Sequence, residues 1–383
     1  MALNTVSSDR LSTNVKNTNF TAAEKQDLTD DILPLAGQLG NRNLIINGAM
    51  NVAQRGTSST GLGASAGYFT LDRFRTTFNA TAGRVTMEQV ADVHDGFANA
   101  LKFSCTTADT SVAAGEYFML QQKIEGQNLQ QLKKGSSDAE EFTVSFYVKG
   151  NASATYVVEM FDLDNTRQIS KTFSVTTNWT RVELTFPGDT TGAFDDDNAA
   201  SLQLAIWLHA GSTYSSGTLN SSAFAANTNA NRAVGISSIF DSTARTFFIT
   251  GLQLEVGSVA TDFEHRSFDQ DLQSCFRYCQ VFDSVDGEYN RFAYANAASG
   301  SSFRVIFPLM REMRAKPSVA FSGAFQCPGV GSFNINNVIM ETNTGSRKVA
   351  CLQQGSVSVT SYQTFQFNAN GDTSAKVTYS AEL

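Results

Sequence analysis

One stretch, residues 245–266, constrains the fold of this chain more than any other. In its first half, mostly apolar side chains recur at every second residue, which is typical of a strand with one buried face. The face predicted to be buried carries Phe248, Thr250, Leu252, Leu254 and Val256. The opposite face carries Gln253 and Glu255, and Gly257 follows. The pattern predicts the closing strand of a β-domain.

Beyond Arg266 the spacing of the apolar residues changes to that of a helix. Ser267 and Gln270 form a capping box, a common start of a helix. The residues at helical spacing after it are Phe268, Leu272, Cys275, Phe276 and Cys279. We predict a linking helix within residues 267–282. Its Phe268, Leu272 and Phe276 dock on the preceding domain, form a seam between subunits, or do both, and the helix is too short for a coiled coil of several heptads.

The composition of the 383-residue chain favours many short strands over helices. It contains 28 Gly and 29 Phe residues, and only 17% of its residues are charged. The net charge of −8 argues against a nucleic-acid-binding surface, which needs a basic stripe. No apolar run approaches the ~20 residues of a membrane span, and the N-terminus lacks the apolar segment of a secretory signal. The five cysteines form no C-x-x-C pair, so we expect reduced thiols used in packing.

Strand patterns recur along the chain with turn residues between them. The predicted strands before the helix cover residues 85–90, 100–105, 116–125, 142–149, 155–161, 180–186, 201–209 and 245–256. Such a series indicates an antiparallel sandwich, which we place at 44–266. Alternation at Phe303, Val305 and Phe307, and near Val357 and Val359, predicts a C-terminal β-domain at 283–383. Residues 1–43 read as an N-terminal arm with a short helix from Thr21 to about Ile32.

Several motifs resemble those of one group of virion proteins. They are Asn-Leu-Ile-Ile-Asn-Gly-Ala-Met-Asn-Val-Ala-Gln-Arg-Gly at 43–56, Tyr-Phe-Thr-Leu-Asp-Arg-Phe at 68–74, Ile-Thr-Gly-Leu-Gln-Leu-Glu-Val-Gly at 249–257 and Cys-Phe-Arg-Tyr-Cys at 275–279. This set is similar to the jelly-roll domain of bacteriophage tail-fibre and related virion proteins, over about residues 43–321. The resemblance implies a jelly roll of the carbohydrate-binding kind, a C-terminal β-domain and an N-terminal part that faces the particle.

A sugar-binding face is one hypothesis for the sandwich. On the strand at 201–209 the leucines and Ile206 point inward, so Trp207 and His209 point to the opposite face. Tyr147 has the outward parity on its own strand, and the three side chains would bind a sugar by stacking and hydrogen bonding. The alternative is that the linking helix, a long loop or another subunit covers this face.

A structural Ca²⁺ is a second hypothesis, because jelly rolls of the kind that this domain resembles often hold one. Oxygen ligands from loops and from the last strand suit this cation, and Glu255, Asp195 and Asp197 are the candidates. The alternative is that these carboxylates are solvated turn residues. No other cofactor is expected.

The sequence gives little support to catalysis. Residues 63–67 match the Gly-x-Ser-x-Gly nucleophile elbow, but Tyr68 and Phe69 follow where a helix is needed. The acidic clusters at 162–165 and 195–198 read as turns, not as the isolated buried acid of a glycosidase. We therefore expect a protein that is not an enzyme.

The resemblance, taken with these observations, predicts a phage virion protein, made in the cytoplasm of a bacterial host. The first hypothesis is a homotrimeric tail fibre or tail appendage that attaches the particle to a host surface glycan by binding. Residues 1–43 would contact other virion proteins. A capsid decoration or head-fibre protein is the alternative, and a polysaccharide depolymerase is a third class.

Overall fold

The computed structural model describes residues 41–328, 331–333, 338–340, 345–355 and 358–383. The chain divides into two units, Met1–Asn43 and Leu44–Leu383. Most of the predicted N-terminal arm, including its helix from Thr21, lies outside the described residues, and so does Val357. The second unit is mainly antiparallel β structure, as the sequence predicts.

The first sheet of this unit, sheet A, has six antiparallel strands. In spatial order they are β1 (Ser58–Leu62), β3 (Arg84–Val90), β4 (Ala100–Thr107), β12 (Thr246–Val256), β6 (Phe142–Gly150) and β9 (Thr180–Phe186). The predicted closing strand, β12, lies at the centre of this sheet between β4 and β6.

Sheet B also has six antiparallel strands. In spatial order they are β11 (Ala225–Ala226), β8 (Arg167–Val175), β7 (Ala154–Asp162), β10 (Ala200–Ala210), β5 (Tyr117–Glu125) and β2 (Arg75–Asn79). The connections contain one short helix, α1 (Ser212–Ser215), and 3-10 turns at Gly126–Asn128, Gln130–Leu132, Asn229–Asn231 and Ile239–Asp241.

Sheets A and B pack face to face over one hydrophobic core. The rings of Phe103 on β4 and Phe118 on β5 lie 5.0 Å apart, and those of Phe146 on β6 and Phe173 on β8 lie 5.1 Å apart. Alternation places these side chains inward, and burial of each contributes about 1.5–3 kcal/mol. The sandwich predicted from the sequence is therefore confirmed.

The prediction for β12 was wrong in one respect, because the strand changes face at Gly251. Phe247 and Ile249 reach the core before this residue, whereas Leu252 and Leu254 reach it afterwards. The pairing with β6 shifts between Thr250 and Gln253, and Gly251 has a φ of 62°. This bulge turns Phe248 and Thr250 to the outer face of sheet A.

The linking helix is shorter than predicted. It is α2 (Phe268–Phe276), and its capping box between Ser267 and Gln270 is present. Cys279, predicted on the helix, instead begins β13 (Cys279–Asp283), which pairs with β22 (Lys376–Ser380). The helix therefore ends before the last apolar residue at helical spacing, because that residue, Cys279, pairs in a sheet.

The C-terminal part contains two further antiparallel sheets. Sheet C has the order β13, β22 (Lys376–Ser380) and β16 (Ser318–Ser322). Sheet D has the order β18 (Gly331–Phe333), β17 (Phe325–Cys327), β21 (Thr364–Ala369), β14 (Arg291–Ser299), β15 (Ser302–Pro308), β20 (Val349–Gly355) and β19 (Val338–Met340).

These two sheets have a hydrophobic core that is separate from the core of the sandwich. The boundaries at 266 and 282 stay predictions, since residues 44–383 group as one compact unit. All five cysteines are free and buried, as expected from their spacing. Among the described helices, none has the length and apolarity to cross a membrane.

Buried charges join the C-terminal part to the sandwich. The carboxylate of Glu382 lies 3.0 Å from Arg55 Nη2 and 2.6 Å from Arg73 Nη1. Glu125, at the end of β5, accepts hydrogen bonds from Arg277 and Tyr278. Ion pairs this deeply buried break at high cost, so we expect the two parts to unfold together.

Asp72 makes this junction sensitive to pH. Burial raises the pKa of Asp72 to about 6, against the opposing effects of Arg55 and of hydrogen bonds from Gln54. The folded chain therefore binds this proton more tightly than the unfolded chain does. The resulting stabilisation is full below the usual pKa of 3.8 and is lost as the pH rises through 6.

We expect the free energy of unfolding attributable to Asp72 to fall by about 2 kcal/mol between pH 4 and pH 7. Urea unfolding of the wild type and of Asp72→Asn across this range measures it, because the amide keeps the size of the side chain and cannot titrate. The difference between the two curves isolates Asp72 from other titrating groups, such as Asp271. Parallel pH profiles would contradict the prediction.

Candidate functional site

Trp207 points to the outer face of sheet B, as its parity predicted, but it is not exposed. The prediction for His209 was wrong, because the pairing of β10 with β5 shifts between Trp207 and His209. His209 lies opposite Phe118, and its ring centre is 5.2 Å from that of Phe240; both phenylalanines belong to the core between the sheets. The side chains of Trp207 and His209 both have 0% exposure. A second apolar cluster covers Trp207, and its members are Met119, Val157, Ala205 and Ala233, with Tyr117, Ala210, Tyr214, Leu219 and Ile236 beside them. Most of the cover comes from the connection between β10 and β12, so the long-loop alternative describes this face.

A buried charge pair fixes that cover over Trp207. Arg232, in the connection, donates from Nε to Glu159 Oε1 at 2.7 Å and from Nη2 to Glu159 Oε2 at 2.8 Å. Trp207 Nε1 donates to the same carboxylate at 3.1 Å. The Arg232 guanidinium also lies 4.9 Å from the centre of a Trp207 ring. Trp207 is thus a packing residue in this conformation.

His209 belongs to a chain of three polar side chains that the sequence did not reveal. Its Nδ1 lies 2.7 Å from Ser238 Oγ and its Nε2 lies 3.3 Å from Glu116 Oε2. Burial lowers the pKa of His209, against the opposing effect of Glu116. Ser238 Oγ also accepts a hydrogen bond from Phe240 N–H and so caps a 3-10 turn. Since His209 is fully buried, this Ser-His-Glu arrangement fits a structural role, in which it holds the connection between β10 and β12 against the sheet, better than an acyl-transfer site.

Tyr147 lies on the other sheet, so the three predicted sugar-binding residues do not share one face. It points outward from β6 and is half-buried. Its ring centre lies 4.1 Å from that of His94, with the two rings tilted by 30°, and 5.5 Å from that of Phe97. Phe97 in turn contacts Phe263 at 5.1 Å and His265 at 5.2 Å.

Trp179 extends this row of rings along the outer face of sheet A. Its ring centre lies 6.2 Å from that of Phe248, on the outer side of β12. Lys149 Nζ lies 5.3 Å from the Trp179 ring and 4.8 Å from that of Phe248. We name the set His94, Phe97, Tyr147, Trp179, Phe263 and His265 the ring platform.

The bulge at Gly251 makes room for the centre of the platform. A Cβ at this position would lie 2.6 Å from Phe97 Cζ and 3.0 Å from Tyr147 Cδ2. Any side chain would therefore push Phe97 away from the sheet. Glycine also tolerates the positive φ that the bulge requires.

Gln253 and Glu255 position the other side of the platform. Glu255 is buried and accepts hydrogen bonds from Thr261 N–H at 2.9 Å and Thr261 Oγ1 at 2.6 Å. Gln253 Oε1 accepts from the N–H of Glu264 at 2.8 Å. These bonds hold the segment after β12 across the sheet and place Phe263 and His265 beside Phe97.

The predicted calcium ligands lie in different settings. Glu255 is engaged by Thr261, whereas Asp195 and Asp197 are exposed in the turn between β9 and β10. Asp197 Oδ1 accepts from Ala199 N–H at 2.8 Å, as turn carboxylates do. In the described part of the chain, no three His, Cys, Asp or Glu side chains form a group that could hold a metal. Calcium binding stays a prediction.

The three predicted docking residues of α2 have different surroundings. Phe276 is buried, Leu272 is half-buried and Phe268 is 58% exposed. Phe276 therefore packs within the unit, while Phe268 is available for a contact between subunits. The Gly-x-Ser-x-Gly match at 63–67 lies in a loop whose Gly67 bridges to Thr76, and no helix follows it.

No protein-family model matches this chain, and no curated protein does either. Solved structures similar to it are carbohydrate-binding modules. One is TmCBM61 in complex with β-1,4-galactotriose, with 12% identity and a TM-score of 0.31 over 57% of this chain and 100% of that one. Another is the family 11 module of the cellulosomal cellulase Lic26A-Cel5E of Clostridium thermocellum, with 13% identity and a TM-score of 0.27 over 55% of this chain and 98% of that one. A third is the CBM22-1 xylan-binding domain from Paenibacillus barcinonensis Xyn10C, with 14% identity and a TM-score of 0.25 over 48% of this chain and 87% of that one. At these identities and TM-scores the likenesses carry no functional conclusion.

Proposed function

We propose that this chain binds a glycan on the ring platform of sheet A, without catalysis, and that it serves a phage particle as an attachment protein. The observation that carries the glycan proposal is the platform itself. Six aromatic side chains line one outer sheet face and none of them is fully buried. A row of rings over the outer face of a sheet offers stacking surfaces to successive sugars.

Charged and polar groups beside the rings would orient a bound sugar chain. Lys149 pairs with Asp92 at 2.6 Å, and Lys102 pairs with Glu88 at 3.4 Å, both next to Phe248 on the same face. Sugar hydroxyls donate and accept hydrogen bonds, so such groups fix the register of a chain that the rings alone would let slide.

The virion assignment is supported by the motifs at 43–56, 68–74 and 249–257, which resemble those of phage tail-fibre proteins. In this proposal the chain is a homotrimer whose residues 1–43 contact other virion proteins. Three copies would raise a weak affinity per site through effective concentration. Gold-labelled antibody on tails of purified virions would support attachment, whereas label over heads would favour the decoration role. Absence of the protein from virions by mass spectrometry would refute the assignment.

Replacing Tyr147 with alanine tests the platform. We expect the affinity for the recognised glycan to fall about tenfold or more, which corresponds to ~1.4 kcal/mol of lost stacking. Affinity electrophoresis in gels that contain single polysaccharides, of plant and bacterial-surface origin, first identifies a ligand and then measures the change. Tyr294→Ala is the matched control, since this tyrosine is 68% exposed on sheet D.

An unchanged mobility of Tyr147→Ala in the presence of a glycan that retards the wild type would exclude the platform. Retardation of the wild type by none of the polysaccharides would count against the glycan proposal itself. Loss of viscosity of a polysaccharide on incubation with the protein would overturn the non-catalytic reading.

A further inference from the structure

A groove at the junction between the sandwich and the C-terminal part is rich in cationic side chains. Its volume is about 590 Å³, within the range of pockets for small ligands. The cations that line it are Arg75, Lys123, Arg314 and Lys316. Among the described residues of its lining, the one anionic side chain is that of Glu382. In a chain with a net charge of −8, this is a local excess of positive charge.

Two of the charged side chains in this lining, Glu382 and Arg314, have partners within the chain. Glu382 is occupied on its other side, where its carboxylate meets Arg55 and Arg73. Arg314 donates to three main-chain carbonyls, those of Asn198, Ala381 and Glu382, and so keeps its full charge beside uncharged acceptors. The side chain is thereby held rigidly at the edge of the groove.

Arg75 and Lys123 are the two cations of the groove that a bound anion would stabilise most. Arg75 on β2 pairs with Gln121 on β5, and Lys123 is two residues further along the same face of β5. Side chains in this diagonal relation lie within ~7–8 Å of each other. Within the described residues neither of them has an ion pair, and burial together with Arg75 lowers the pKa of Lys123. Two half-buried cations side by side repel each other, and a bound anion would relieve this repulsion.

The groove is larger than one inorganic anion requires, and one wall is aromatic. The Tyr68 ring lines it and is fixed, since its hydroxyl donates to the main-chain oxygen of Leu383 at 2.8 Å. The Arg55 guanidinium lies 5.4 Å from the centre of this ring. A ligand that combines a ring-sized body with a negative group would therefore use more of the groove than phosphate alone.

We propose that this groove binds the carboxylate or phosphate of an acidic saccharide, with Arg75 and Lys123 as its principal ligands. The saccharide part of this inference rests on the proposed glycan binding, but the site is separate from the ring platform. An attachment protein with both sites would recognise a charged glycan at two places on one chain, and the groove would select charged over neutral glycans.

Isothermal titration calorimetry with four probes tests the inference. The probes are oligogalacturonate, glucose 1-phosphate, inorganic phosphate and a neutral galacto-oligosaccharide. We expect at least one of the two acidic saccharides to bind more tightly than inorganic phosphate, with an affinity that falls as NaCl is raised. In Arg75→Gln/Lys123→Gln this affinity should drop at least tenfold, because both cations contact the anionic group.

The control Arg291→Gln/Lys348→Gln removes the same charge from exposed positions outside the groove and should leave the affinity unchanged. If the test variant does not fold, as judged by circular dichroism, Lys316→Gln replaces it. Lys316 is exposed, and its loss should weaken binding about threefold.

Three results would overturn the inference: no binding of either acidic saccharide, equal binding of inorganic phosphate, or equal losses in the test and control variants. Tyr147→Ala separates this site from the platform. If Tyr147→Ala abolishes acidic-saccharide binding and Arg75→Gln/Lys123→Gln does not, the glycan proposal stands and the groove is excluded. If only the groove variant loses binding, the groove is the acidic site irrespective of the platform.

Discussion

Replacing Arg232 with methionine is expected to lower the free energy of unfolding by about 3–5 kcal/mol and to bring Trp207 into contact with water. Glu159 is fully buried, and Arg232 is the cation that pairs with it, through both carboxylate oxygens. Methionine keeps apolar bulk over the rings of Trp207 and Phe161 but leaves the carboxylate without its countercharge. A buried charge without a partner is the main source of the loss.

Tryptophan fluorescence measures the second part of this prediction well, because the chain has only two tryptophans. In a Trp179→Phe background the emission comes from Trp207 alone. We expect a buried, blue-shifted emission with Arg232 and a red shift in Arg232→Met, as the connection between β10 and β12 loosens. Urea unfolding gives the stability change on the same samples.

Arg245→Met is the matched control for Arg232→Met. Arg245 pairs with Asp241, whose side chain is 41% exposed, so its loss should cost at most about 1 kcal/mol. Adding Glu159→Gln to Arg232→Met removes the unpaired charge and should restore part of the stability, which a double-mutant cycle resolves. Equal losses in Arg232→Met and Arg245→Met, without a shift in emission, would mean that the pair does not hold the cover.

This pair also explains why the sequence located Trp207 correctly and misjudged its use. Alternation along β10 fixes the face of Trp207, because it depends only on neighbours in the chain. It fails at His209, because the register with β5 shifts after Trp207. Whether that face is open depends on the connection at 211–245, which has no periodic pattern. Arg232 is far from Glu159 in sequence, and nothing in its neighbours identifies it as the partner of a buried acid.

Most of the strands were predictable for the same local reason, and the errors lie where local patterns end. β8 was missed although Ile169, Phe173 and Val175 share one face, because polar residues separate them. The bulge at Gly251 reverses the parity of β12, and a reversal within a run of apolar residues leaves no trace in the alternation. Tyr147 was the one member of the ring platform predicted to bind a sugar, since the other rings reach sheet A from segments outside the predicted strands.

Replacing Glu125 with alanine is expected to cost about 3–5 kcal/mol and to loosen the junction between the sandwich and the C-terminal part. Glu125 is buried at the end of β5 and accepts from Arg277 Nε at 2.7 Å and Nη2 at 2.6 Å, and from the hydroxyl of Tyr278. Although burial works to raise it, the hydrogen bonds from Arg277 and Tyr278 hold the pKa of Glu125 below its usual value. The carboxylate is therefore charged at neutral pH, and its loss leaves Arg277 without that anion.

Limited trypsin digestion reports on the junction, and urea unfolding reports on the stability. In the wild type Arg277 is held by Glu125 directly after α2, so cleavage there should be slow. In Glu125→Ala we expect faster cleavage after Arg277, detected by mass spectrometry as fragments that separate the sandwich from the C-terminal part. Glu140→Ala is the control, because its pair with Lys133 is largely exposed and should contribute little.

If Glu125→Ala unfolds at the urea concentration of the wild type and resists trypsin equally, the junction must be held by the second set of contacts, around Glu382. The two sets are separable, since Glu125 contacts residues just after α2 and Glu382 contacts Arg55 and Arg73 from the other end of the C-terminal part. A loss of stability in Glu125→Ala without faster cleavage would mean that the lost free energy of unfolding comes from contacts within the sandwich. Faster cleavage without a loss of stability would mean that Arg277 is freed while the contacts around Glu382 keep the two parts together.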